Sequence, residues 1–243
     1  MYRCVATSIE GFVQQLAVGY VTHGYWFYVS GWIPEGKDPC KTDAKLIERY
    51  GIDVSKWTRC RGKKAGLANV QYLRHGRFFV LLATHGQHPF FVQEPGFRDI
   101  REKPIEFAGY SIGCRRGLDG NYHASVRLSR WRVRTWQESL AQIALRPDVE
   151  SVMRAFRALP AAPYAPVRRQ LLQLLGQVNR RRKVANLEMI PVSALRLRRR
   201  PVAPFGGGTG GAHGLKSRQA LSQPAFASRL RPSSPGTSPR QPR

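Results

Sequence analysis

The chain has 243 residues, 42% of them hydrophobic, and its 40 Lys and Arg outnumber 15 Asp and Glu to give a formal charge of +25. That apolar content is enough for a core and excludes a wholly disordered chain, while the charge excludes a basic partner and favours a polyanion. No apolar run approaches the ~20 residues of a membrane span, and Met1-Tyr2-Arg3-Cys4-Val5 opens no extended apolar leader, so a cytoplasmic protein without a membrane span is expected.

Arg3–Thr7 predicts a first strand, and Ser8 is a good N-cap for a helix from Ile9 to Thr22, stopped at Gly24. Phe12, Leu16 and Tyr20 repeat every four residues and define its inward face. Tyr25–Trp32, aromatic and β-branched, predicts a buried strand, and residues 42–50 a short helix capped by Thr42 and ended by Gly51. Asn69–Arg74 and Arg77–Thr84 predict strands joined through His75-Gly76. Since Phe78–Ala83 is apolar throughout, that strand is expected to be central. Further strands are predicted at Pro89–Gln93, Ile105–Cys114 and Tyr122–Ser129, with a turn over Gly117–Gly120. Helices follow at Arg130–Leu145 and Asp148–Leu159, then a proline-rich linker to Pro166, which suits the first position of a helix reaching Ala185. Val167, Leu171, Leu174, Leu175 and Val178 form its apolar stripe.

These elements predict an α+β core domain over residues 1–130, with helices packed on a mixed or antiparallel sheet. A basic helical module over 131–205 and a disordered tail over 206–243 complete the expected organisation. All five Trp precede residue 140, which places the main core in the front half. Cys4, Cys40, Cys60 and Cys114 are spaced too widely for a zinc site or a dense disulfide framework, so buried reduced thiols are expected.

The charge is uneven. Residues 151–243 hold 18 Lys and Arg against one acid, Glu188, whereas residues 1–150 hold 22 against 14. Arg180, Arg181, Arg182 and Lys183 crown the last predicted helix, and Arg196, Arg198, Arg199 and Arg200 follow a short connection. Some of these cations suit a helix C-terminus, but four in succession exceed that role. Arginine grips phosphate with a planar fork and stacks on bases, so both clusters are expected to bind nucleic acid, DNA ahead of RNA. A smaller candidate sets Trp57 among Arg59, Arg61, Lys63 and Lys64, the arrangement of a stacking platform inside a phosphate-binding surface. Replication, mobilisation or transposition of a mobile element is the expected setting, and an RNA-binding protein explains the same charges.

The alternative is a metal-dependent nuclease or transposase-like enzyme using His85 and His88, with Glu94 or Asp99 as a third ligand and Tyr110 or Tyr122 as a nucleophile. The element order is loosely similar to that of nicking enzymes and transposases that carry a His-hydrophobe-His motif. Here Gly86-Gln87 separates the histidines, so no catalytic residue is carried over. Phosphate loops, nucleophile elbows and dinucleotide fingerprints are missing from the sequence, and no cofactor is expected.

Overall fold

The computed structural model describes residues 2–161, 164–197 and 202–205, all within one compact unit, Met1–Gly207. Ser8 caps the first helix, its hydroxyl accepting from the Gly11 N–H at 3.0 Å. That helix, α1 (Ile9–Gln14), widens into a π-helical stretch at Gln15–Tyr20 and tightens into a 3₁₀ turn at Val21–His23. Gly24 then takes φ +89°, a left-handed backbone that glycine adopts without a Cβ clash. Next come β1 (Phe27–Trp32), α2 (Pro39–Arg49) and α3 (Lys56–Lys64). Asp38, with Pro39 in the first turn, starts α2 earlier than Thr42 predicted, because its carboxylate accepts from the Cys40 N–H.

β2 (Val70–His75) and β3 (Phe78–Ala83) form an antiparallel hairpin turned at Gly76, φ +57°. Their four-stranded sheet has the order β2-β3-β1-β4, where β4 is Arg98–Asp99. Interior β3 sends Phe78, Val80 and Leu82 into one core and Leu81 and Ala83 into another. That double burial is why its sequence does not alternate. β5 (Ile105–Phe107), β6 (Tyr110–Arg116) and β7 (Tyr122–Leu128) form a second, three-stranded antiparallel sheet.

Three expected strands are corrected. Arg3–Thr7 forms only an isolated bridge, Val5 with Arg74. Ile105–Cys114 is two strands, because Ala108 and Gly109 both have positive φ (46° and 76°) and reverse the chain. Pro89–Gln93 is instead a short helix, α4 (Phe90–Gln93), whose Phe90 N–H is taken up by His88 Nδ1 at 3.0 Å.

α5 (Arg130–Ile143), α6 (Val149–Arg157) and α7 (Ala165–Val184) follow, with a 3₁₀ turn at Val192–Ala194. The apolar stripe of α7 is fully buried, and one continuous core runs from Ala6 through both sheets to Leu195. The core is therefore not confined to the aromatic front. Trp32, Trp57 and Trp131 are in fact 68%, 78% and 62% exposed.

A buried ion pair ties α2 to β2. Arg74 Nη2 lies 2.7 Å from Asp43 Oδ2 and Nε 2.8 Å from Oδ1, while the Tyr72 hydroxyl donates to the same carboxylate at 2.7 Å. Asp43→Ala is expected to destabilise the fold by about 3–5 kcal/mol, because it strands a guanidinium in the interior. Urea unfolding will show this as a lower midpoint.

The cysteines are free, but only Cys4 and Cys114 are buried, while Cys40 and Cys60 are exposed. Burial pushes each buried thiol up to about 11. Since the thiolate is the reactive species, a disulfide reagent at pH 8 is expected to titrate Cys40 and Cys60 quickly and the other two only on unfolding.

Candidate nucleic-acid interface

The segment that sequence pattern marked only as a basic cluster around one Trp is a helix. Ser55 caps α3 by accepting from the Thr58 N–H at 3.1 Å, and Gly66 at φ +78° follows it. Trp57, Arg61 and Lys64 fall at i, i+4 and i+7 and share a face. The opposite side meets the body largely through backbone. The Arg59 carbonyl accepts from Asn69 Nδ2 at 3.2 Å, and the Gly62 carbonyl from the Leu67 N–H at 2.9 Å. No residue of α3 is buried, and none of its cations forms an ion pair among the described residues. Arg61, Lys63 and Lys64 occupy the last turn, where the negative end of the helix dipole helps to hold them.

The run at the end of α7 divides between surface and core. Arg180, Arg181 and Lys183 are exposed, while Arg182 is fully buried. Four consecutive helical residues sweep about 300° of the cylinder, so one of them has to face the body. The Arg182 guanidinium donates from Nη1 to the carbonyls of Ala144 at 2.9 Å and Arg146 at 2.7 Å, and from Nε to that of Glu188. It thereby satisfies carbonyls left open where α5 ends. Asn179 adds a two-way bond to the Ile190 backbone at 2.8 and 2.9 Å. Arg182 thus holds the fold and has no free face for phosphate. Arg196 is exposed beyond the 3₁₀ turn, and Arg198, Arg199 and Arg200 lie outside the described residues.

A third basic surface was not singled out from the sequence. On the three-stranded sheet, Ser111 pairs with Arg127, Gly113 with Ser125 and Arg115 with His123, so these side chains share the face away from the core. Ser111, Gly113, Arg115, Ser125 and Arg127, together with Arg130 and Trp131 at the start of α5, line a groove of about 740 Å³. The signal that could have found it is the period-two placement of Ser111, Gly113 and Arg115 on one strand and of Ser125 and Arg127 on the next.

The histidine candidates do not converge on a site. His88 Nδ1 is occupied by the Phe90 N–H, and burial pulls the imidazole below its ordinary value. The Tyr50 hydroxyl donates to Glu94, and Asp99 is held by Arg101. His85 lies beside the Phe27 ring, 6.4 Å between centroids. Among the described residues, no three His, Cys, Asp or Glu side chains are placed to hold a metal ion. Tyr110 is in the core with its hydroxyl raised by burial, under the Arg132 guanidinium at 5.6 Å. Tyr122 packs at a tilt beside Trp26, and the Arg101 guanidinium lies over both rings.

In comparisons with known proteins, no family model, no curated protein and no solved structure matches the chain. No described helix is long and apolar enough to cross a membrane.

Arg182→Ala is expected to lower stability by about 3 kcal/mol through its stranded carbonyls, whereas Arg180→Ala stays within about 0.5 kcal/mol. Parallel thermal melts separate the two.

Proposed function

We propose that the protein binds nucleic acid, DNA first, by gripping the phosphate backbone rather than by reading sequence. The observation that carries this reading is α3, a helix with no fully buried residue whose cations form no ion pair among the described residues. A helix without a packed face contributes little to a core, which leaves its outer side available to a ligand. Trp57, 78% exposed beside Arg61 and Lys64, adds a flat surface on which an unpaired base can stack. Arg180, Arg181, Lys183 and Arg196 extend the supply of exposed charge at the end of the fold.

Replacing Arg61, Lys63 and Lys64 together by Gln tests the reading. Since these side chains touch no core, the variant is expected to melt like the wild type. Its DNA affinity falls equally for unrelated sequences, and the log K against log salt slope flattens by about 0.9 for each phosphate no longer neutralised. Trp57→Ala weakens single strands by about 1–3 kcal/mol, more than duplex. An unchanged salt slope in the triple variant overturns α3 as the binding surface.

A further inference from the structure

The groove on the three-stranded sheet contains three buried polar atoms without partners among the described residues, namely Ser125 Oγ, Arg127 Nε and Ser129 Oγ. Ser129 is only 2% exposed, and it occupies the N-cap of α5 in an extended conformation suited to capping. Its hydroxyl nevertheless makes no capping bond, so it withholds from the helix what Ser8 and Ser55 supply to theirs. A buried hydroxyl or guanidinium N–H without a partner is costly, and three at one place are rare in a native fold unless something else satisfies them.

The electrostatics of the same place point the same way. The first turn of α5 contains no acidic residue and begins Arg130-Trp131-Arg132, putting cations where the helix dipole already concentrates positive potential. Arg127 is pulled below the usual guanidinium range by burial and by the charges of Arg115 and Arg169. Glu106 is the groove's carboxylate, and it ion-pairs with none of these arginines among the described residues. The set of donors suits an anion that accepts several hydrogen bonds at once, which is the chemistry of a phosphoryl group. On the same groove Trp131 is 62% exposed, an apolar plate next to the cations.

We infer that this groove binds a nucleoside phosphate, with the oxyanion on Ser125, Arg127, Ser129 and the first turn of α5 and the base against Trp131. The volume of about 740 Å³ admits such a unit whether it is free or belongs to a strand. The site stands on residues separate from α3 and does not require the polymer-binding reading to be right.

Calorimetry on the full chain with a nucleoside monophosphate, inorganic phosphate and a single-stranded oligonucleotide tests it. The nucleotide is expected to bind saturably at concentrations up to on the order of 1 mM. Arg127→Ala and Ser129→Ala weaken both nucleotide and phosphate by about ten-fold or more, and Trp131→Ala weakens the nucleotide but not phosphate. Because the Ser129 hydroxyl has no partner in the free protein, Ser129→Ala leaves the melting temperature unchanged or raises it, which separates impaired binding from impaired folding. The α3 triple variant keeps nucleotide affinity. Tighter oligonucleotide than mononucleotide binding, abolished in the groove variants, assigns the site to a strand, and equal binding assigns it to a free nucleotide. Absence of saturable binding by all three probes, or affinity indifferent to Arg127→Ala and Ser129→Ala, overturns the site.

Discussion

One side-chain amide ties α7 to the edge of the second sheet. β7 is the outer strand of its sheet and presents unpaired backbone groups at that edge. Gln170 closes it: its Oε1 accepts from the Leu128 N–H at 2.8 Å and its Nε2 donates to the Leu128 carbonyl at 3.0 Å, imitating a neighbouring strand. With that point held, the buried leucines of α7 fill the core beneath, and Arg182 secures the far end to the carbonyls at the end of α5. Gln170 also lines the groove, so the interaction that seats the helix shapes the candidate nucleotide site.

This arrangement sorts the positive charge by role. Arg74 and Arg182 are interior, bound to a carboxylate and to carbonyls respectively, and Arg101 is held between aromatic rings and Asp99. Arg61, Lys64, Arg180 and Arg181 remain outside without counterions among the described residues. A net charge of +25 is therefore not a uniform coat. Part of it holds the chain together, and the remainder sets a positive long-range field around the fold.

Much of the local structure was legible because its causes are local. Ser8 as a cap, Gly76 in a hairpin and the four-residue apolar repeat of α1 and α7 act within a turn or two of chain. Pro89–Gln93 misled because its Phe and Val residues fit a strand equally well, and the arbiter, the bond from the Phe90 N–H to His88, is not a pattern of residue types. The reversal at Ala108-Gly109 was missed because Ala is a poor signal for positive φ. Its neighbour Gly109, at φ +76°, takes the left-handed backbone that glycine adopts without strain.

From sequence alone came the α+β class, the Ser8 cap, the stripe of α7 and the excess of cations, since propensity, periodicity and charge are properties of the chain itself. Tertiary structure alone decided which cations face water, that Trp57 and Trp131 stand outside the core, and that Ser125, Arg127 and Ser129 meet in one groove. The reason is physical: exposure and convergence are relations between segments distant in sequence, set by strand register and by which helix face the core claims.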